Sequence, residues 1–114
     1  DLVLNQNLTT ANNADVRLIS AGKITQQSSA ITANNLGMRA GNTIDVTQTG
    51  NAVTTLAATA SSGTVSYRDS VGYTVGTVAA QTLGANVFAK ADGVTTTGAG
   101  THILLQSGGT TAIA

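Results

Sequence analysis

The ionisable side chains of this 114-residue chain are few and widely separated, which limits the acid–base chemistry open to them. The chain has five Asp, no Glu, three Arg, two Lys and one His, and its net charge is zero. His102 has no acidic neighbour in sequence, whereas a nucleophilic triad or a zinc site needs partners at recognisable spacings. Asp69 and Asp92 are the carboxylates that a folded-back loop could pair for glycoside cleavage. We expect neither site: the sequence predicts no enzyme, no cofactor and no metal.

Two tyrosines offer a better prospect of ligand binding. Tyr67 and Tyr73 stand six residues apart, with Arg68 and Asp69 between them. Exposed aromatic rings present a flat apolar face to a sugar, so these four residues form a candidate binding loop for a glycan or a protein. The opposing interpretation is that Tyr67 caps the core and Tyr73 lies flat on the surface.

Composition argues against several other classes of function. Zero net charge with scattered cations gives no electrostatic footprint for nucleic acid. The chain has no cysteine, so it has neither a disulfide framework nor a thiol nucleophile. The uncharged stretch 46–67 is rich in hydroxyls and amides, which makes it a poor membrane span. Thr-x-Thr triplets are too irregular to indicate an ice-binding ladder, and the dense Gly/Asp signature of calcium-binding repeats is missing.

The residue types favour an all-β fold. Thr, Val and Ile are typical of strands, Gly and Asn are typical of turns, and proline is absent. Disorder is the competing interpretation, but it usually needs high net charge or abundant Pro and Glu.

A weak internal repeat of about twenty residues organises the chain. Strand-like triplets recur at intervals of 20, 20, 27 and 20 residues, starting at Val16, Leu36, Leu56, Leu83 and Ile103. A small residue and a glycine often follow each triplet, and Asn or Gly clusters such as Asn12–Asn13 and Gly50–Asn51 indicate turns. One short unit cannot bury its own apolar side, whereas stacked units can.

We therefore predict a right-handed parallel β-helix (β-solenoid) of about five coils, with an inserted loop near 66–77 that accounts for the long interval. The whole chain, 1–114, would be a single segment of a longer rod or a stacking fibre subunit, since both ends look like cuts from a longer polypeptide. A β-sandwich, which also has short strands at regular spacing, is the alternative.

The runs Ala14–Gln26 and Asn35–Val46, together with 56–69 and 72–76, resemble the strand repeats of filamentous-haemagglutinin-like exoproteins of two-partner secretion systems. The resemblance covers about 14–78 and implies a β-helix, export, and a role in adhesion, biofilm or surface fibres. The secretion domain of that family carries Asn-Pro motifs, which this proline-free chain lacks.

The expected function is accordingly a structural segment of a secreted or cell-surface bacterial fibre or adhesin. Its partners would be adjacent coils of the same chain or further copies added end to end, with a glycan or host surface as a further possibility. A binding module that uses the 66–77 loop is the alternative, and a polysaccharide-degrading β-helix enzyme is a more distant one.

Overall fold

Short strands in which apolar and polar residues alternate fill the computed structural model, which describes residues 1–11 and 14–114. The predicted Asn12–Asn13 turn lies outside these residues. The first eight strands are β1 (Leu2–Leu4), β2 (Leu8–Thr9), β3 (Val16–Ser20), β4 (Ile24–Gln26), β5 (Ile31–Ala40), β6 (Ile44–Val46), β7 (Ala52–Ala60) and β8 (Val65–Asp69). The other eight are β9 (Tyr73–Val75), β10 (Thr77–Val78), β11 (Gln81–Leu83), β12 (Asn86–Phe88), β13 (Ala91–Asp92), β14 (Val94–Thr96), β15 (Ile103–Ser107) and β16 (Thr111–Ile113).

Two parallel sheets hold most of these strands. The five-stranded sheet has the order β1-β4-β6-β8-β15. The seven-stranded sheet has the order β16-β9-β7-β5-β2, with β14 also paired to β7 and β3 also paired to β5. Every described pairing within these two sheets is parallel, and the prediction of an all-β chain is confirmed.

The register of the two sheets aligns apolar residues in columns across the strands. In the five-stranded sheet Leu2, Ile24, Ile44, Val65 and Ile103 occupy successive strands at one position. The corresponding column of the seven-stranded sheet contains Val16, Leu36, Leu56, Val75 and Ile113. Because side chains of a strand alternate between faces, each column places its apolar residues on one side of its sheet.

The inner faces of both sheets share one core. Ile24, Ile44 and Val65 from the five-stranded sheet and Leu36 and Leu56 from the seven-stranded sheet are fully buried in it. The terminal strands β1, β2 and β15 contribute only half-buried residues to this core, namely Leu2, Leu4, Leu8 and Leu105. The core is therefore well enclosed in the middle and open at the two ends of the strand order.

Residues 77–92 leave the parallel sheets and form a separate unit. The chain departs after Val75, which pairs with Leu56, and resumes at Val94, which pairs with Ala58. Within the excursion β10 pairs with β13 and β11 pairs with β12, both antiparallel. The two-residue turn between β11 and β12 starts at Gly84, whose φ of 61° suits the primed turns that join hairpin strands.

This excursion covers the outer face of the seven-stranded sheet. Ala57, which faces away from the main core, is buried against Val78, Phe88 and Ala91 in a second apolar cluster. Gly37 lies beside Ala57 in the sheet, and a Cβ atom there would stand 2.7 Å from the Phe88 ring. The Arg17 guanidinium lies over the same ring, 5.9 Å from its centroid. The small residues Gly37 of β5 and Ala57 of β7 leave the space in which the Phe88 ring packs.

The predicted right-handed β-helix of about five equal coils is wrong. The molecule measures 35 × 30 × 30 Å, a compact shape and not an elongated rod, and it combines parallel with antiparallel sheets. The predicted insertion at 66–77 is wrong as well, because Val65–Asp69 and Tyr73–Val75 are strands of the two parallel sheets. The excursion is instead 77–92, and its antiparallel pairing and outward packing break the regularity that equal coils require. The adhesin assignment, which rested on that fold, falls with it.

Candidate functional site

The structure places three of the four candidate binding residues in the interior. Tyr67 is fully buried, Asp69 is 1% exposed and Tyr73 is 4% exposed, so neither ring is available to stack on a sugar. Tyr67 and Asp69 point inward from β8, while Arg68 between them is exposed. The rings of Tyr67 and Tyr73 meet edge to face, with centroids 5.1 Å apart. The opposing interpretation thus describes Tyr67, which belongs to the core, but not Tyr73, which is buried there as well and does not lie on the surface.

Asp69 is a buried carboxylate satisfied by three donors. The Tyr67 hydroxyl donates to its Oδ2 at 2.6 Å, the Val53 amide donates to Oδ2 at 3.0 Å, and the Val71 amide donates to Oδ1 at 2.9 Å. Burial of a carboxylate is costly unless such partners replace water. Asp69 thus ties the end of β8 to the start of β7 and fixes the turn that follows it.

Burial and the nearby Asp69 carboxylate also raise the pKa values of the two tyrosines. Burial, followed by the hydrogen bond to Asp69, raises the pKa of Tyr67 far above its ordinary value. Burial and then the Asp69 charge raise the pKa of Tyr73, while Thr111 beside its hydroxyl opposes the rise. Within the described residues the Tyr73 hydroxyl has no partner of hydrogen-bond geometry. Both phenols are accordingly held neutral, which suits a structural role.

Asn51 is a fully buried polar residue at the centre of the interior hydrogen-bond network. Its sequence neighbourhood predicted only a turn. Its Oδ1 accepts hydrogen bonds from the Gln26 side chain at 2.6 Å and from the Ile31 amide at 2.9 Å. Its Nδ2 has two hydrogens to share among four acceptors within reach: the Gln26 side-chain oxygen and the Arg68 carbonyl at 3.0 Å, the Gln48 carbonyl at 3.1 Å and the Val46 carbonyl at 3.4 Å. Gly50 indicates a turn whether the asparagine after it is exposed or buried. The sequence therefore did not indicate that the Asn51 amide is fully buried.

Arg68 lies in a polar groove at the carboxyl ends of β8 and β15. The groove has a volume of about 380 Å³ and is lined by Thr49, Arg68, Asp69, Ser70, Gln106, Ser107 and Gly108. Gln106 is the direct neighbour of Arg68 across the two strands. A guanidinium flanked by hydroxyl and amide groups can bind a carboxylate or a sugar hydroxyl.

The other residues considered for chemistry lie apart. Asp92 belongs to the 77–92 excursion, where the Thr77 hydroxyl and then Lys90 lower the pKa of its carboxyl group. Asp69 is hydrogen-bonded to Tyr67 of the main core, whereas Asp92 lies in the unit that packs on the opposite face of the seven-stranded sheet, so the two carboxylates are not paired. His102 is exposed at the start of β15. Within residues 1–11 and 14–114, no three His or Asp side chains cluster as a metal site would require.

The free edges of the five-stranded sheet are its most distinctive surface. Among the described residues, β1 pairs only with β4 and β15 pairs only with β8. The amide of Val65 donates to the carbonyl of His102, and the amide of Gly108 donates to the carbonyl of Asp69. Even-numbered residues of β15 therefore direct their backbone groups towards β8. The N–H and C=O groups of its odd-numbered residues point out of the sheet.

Apolar side chains accompany these unpaired backbone groups. On β15, Ile103 is 45% exposed and Leu104 is 53% exposed, and Ile113 on the neighbouring edge strand β16 is 74% exposed. At the opposite edge Val3 of β1 is 43% exposed. Proteins usually protect such edges with charges, bulges or covering segments, because an open edge is a template for another strand.

Comparison with protein-family models, with curated proteins and with solved structures yields no match to this chain. No helix in the described part of the chain has the length and apolar character needed to span a membrane.

Proposed function

We propose that this chain is a structural module of a fibre at or outside the bacterial cell surface, joined to its neighbours through the free edges of its parallel sheets. The observation that carries the proposal is the pair of unpaired, apolar edge strands, β1 and β15, at opposite ends of one sheet. The extracellular location is proposed on the sequence resemblance of 14–78 to exported repeat proteins alone, because the β-helix that this resemblance implied is not found. The module works mechanically, since load passes along main-chain hydrogen bonds and the core beneath them.

Edge pairing satisfies both kinds of group that these strands expose. An added strand receives backbone hydrogen bonds that contribute about 1 kcal/mol each. Strands added to both sheets also cover Ile103 and Ile113; full burial of such a side chain contributes about 1.5–3 kcal/mol, and Ile103, which is 45% exposed, gains roughly half of that. Several such hydrogen bonds and buried side chains together offset the entropy lost when a partner is immobilised. Association requires this balance to be favourable.

Charges placed on the exposed edges should keep the chain monomeric. We expect the sedimentation coefficient of the native chain to rise with concentration, and that of Ile103→Lys/Ile113→Lys to stay constant. An inserted lysine must lose water when a strand pairs beside it, and this is how natural edges avoid association. The matched control is Leu83→Lys/Val87→Lys, which places two lysines at the equally exposed tip of the hairpin.

The hairpin variant distinguishes edge pairing from non-specific hydrophobic association. If the hairpin variant also stays monomeric, the exposed hairpin and not the edges drives association. A native chain that remains monomeric at all concentrations contradicts the proposal outright.

The groove around Arg68 supports a second candidate function, the binding of an acidic glycan. Arg68 lines a polar cleft of about 380 Å³, large enough for a sugar ring. An oligosaccharide of glucuronic acid is the probe, titrated calorimetrically. We expect Arg68→Ala to weaken binding at least tenfold. Arg39→Ala, which removes a guanidinium bonded to the Lys90 carbonyl, should leave binding unchanged. Equal affinity in all three proteins, or no binding, contradicts this function.

A further inference from the structure

We infer that the partner of the free edge is a second copy of this chain, added head to tail with β1 of the incoming copy parallel to β15. In this register Leu2 lies opposite Ile103, Val3 opposite Leu104 and Leu4 opposite Leu105. The inference rests on the proposed function and specifies the partner and the register. Backbone orientation, side-chain matching and charge each support it.

Backbone orientation restricts the register first. The Leu2 amide donates to Lys23 and the Leu4 carbonyl accepts from Gln27, so both residues are directed towards β4. The N–H and C=O groups of Val3 between them therefore point out of the sheet. A residue in a parallel strand bonds to the two residues that flank its opposite neighbour. The outward groups of Val3 thus meet the outward groups of Ile103 and Leu105, which places Val3 opposite Leu104.

Side-chain matching selects this register from the others of the same parity. A shift by one residue would reverse the faces and is excluded by the backbone pattern. A shift by two in one direction would place Leu2 against Leu105 and Leu4 against Ser107, and in the other direction Leu4 against Ile103 and Leu2 against Thr101. In the inferred register Leu2 extends the column that already contains Ile24, Ile44, Val65 and Ile103. Leu4 likewise extends the position of Leu105, which packs against the main core.

Addition of a copy in this register also covers the exposed edge of the seven-stranded sheet. Its column runs from Val16 on edge strand β3 to Ile113 on edge strand β16. An incoming copy stacked on β15 brings its own Val16 above Ile113, which is 74% exposed in the single copy. Two edges are therefore covered at once, and the open end of the shared core is closed.

Charged side chains are few between the two copies: Asp1 precedes β1, and edge strand β3 carries Arg17, which lies over the Phe88 ring. Residues 103–114 contain no charged side chain, and neither do residues 2–11. The lysines and prolines that commonly protect edge strands are missing from both segments. The two ends of one molecule thus match in strand direction, in apolar spacing and in neutrality, which is what repeated addition of identical copies requires.

Engineered cysteines test the register directly, since the native chain has none. Neighbouring strands lie about 4.8 Å apart, within the Cα separation that a disulfide spans. We expect Val3→Cys/Leu104→Cys to form a ladder of covalent oligomers under mild oxidation, resolved on a non-reducing gel. Val3→Cys/Leu83→Cys, whose second thiol replaces a residue more exposed than Leu104, should form no ladder. Thr25→Cys/Asp45→Cys, an in-register pair within one sheet, is the positive control and should close an intramolecular bond.

The possible outcomes distinguish a failure of the inferred register from a failure of the proposed function. Concentration-dependent sedimentation without a ladder overturns the head-to-tail register and leaves edge association standing. Covalent dimers from Leu104→Cys alone indicate a symmetric pairing of two β15 edges and likewise overturn it. Absence of both association and ladder, with the positive control oxidised, removes the inference and the proposed function together.

Discussion

Replacement of Asn51 by alanine should destabilise the fold by about 3–5 kcal/mol, because it leaves several buried backbone groups unpaired. The Ile31 amide loses its acceptor, and the Arg68 and Val46 carbonyls lose a donor. Each buried polar group left without a partner costs about 1–3 kcal/mol. Since single domains of this size are stable by only about 5–15 kcal/mol, the variant should unfold at a much lower urea concentration.

Urea denaturation followed by circular dichroism measures this change, and Asn42→Ala is the matched control. Asn42 is exposed and its side chain accepts a hydrogen bond from the adjacent Thr43 amide. We expect the control to lose about 1 kcal/mol or less. Equal losses in the two variants would mean that the interior network around Asn51 contributes nothing beyond an ordinary turn.

Alkaline solution should unfold the chain, because both tyrosines are held neutral in the folded state. The pKa of Tyr67 and the pKa of Tyr73 are raised in the native structure, chiefly by burial. The unfolded chain releases these protons near pH 10, while the native chain retains them. Stability is therefore fully present below about pH 10 and falls as the pH rises above it, by about 1.4 kcal/mol per unit for Tyr67.

Simultaneous measurement of phenolate absorbance near 295 nm and of circular dichroism tests this linkage. We expect the phenolate signal to appear together with the loss of β structure. Tyr67→Phe removes the more strongly shifted phenol, so its stability should decline less steeply with pH, although its stability at pH 7 is lower. Full ionisation of both tyrosines while the β signal is intact would contradict the buried placement.

Composition predicted the all-β class correctly because strand and turn preferences are local properties of each residue. The alternation around Leu36 and Leu56 likewise matches two neighbouring strands in register. The rod of equal coils was wrong because the whole chain was aligned to one period. Leu83, assigned as the start of the fourth unit, is 68% exposed at the hairpin tip, and the sheet positions next to β7 belong to Val75 and Val94.

The burial of three of the four candidate binding residues was not predicted, for a related reason. Tyr67, Asp69 and Tyr73 are uncommon residue types in this chain, and the longest interval in the repeat contained them. Their burial depends on partners distant in sequence, such as the Val53 amide, which no local pattern shows. The edges were more accessible to prediction, since neutral apolar strands at both ends are visible in the sequence.

The meeting point of Gly76 and Gly93 gives this chain a natural cassette boundary. The Gly93 amide donates to the Gly76 carbonyl at 2.8 Å, so the two ends of the excursion are already joined when the sheet is formed. Whatever lies between them leaves β7 paired with Val75 on one side and with Val94 on the other. Val78, Phe88 and Ala91 must stay apolar because they cover Ala57, whereas the exposed residues 82–87 are free to diverge, lengthen or be exchanged for a foreign epitope while the scaffold keeps its register.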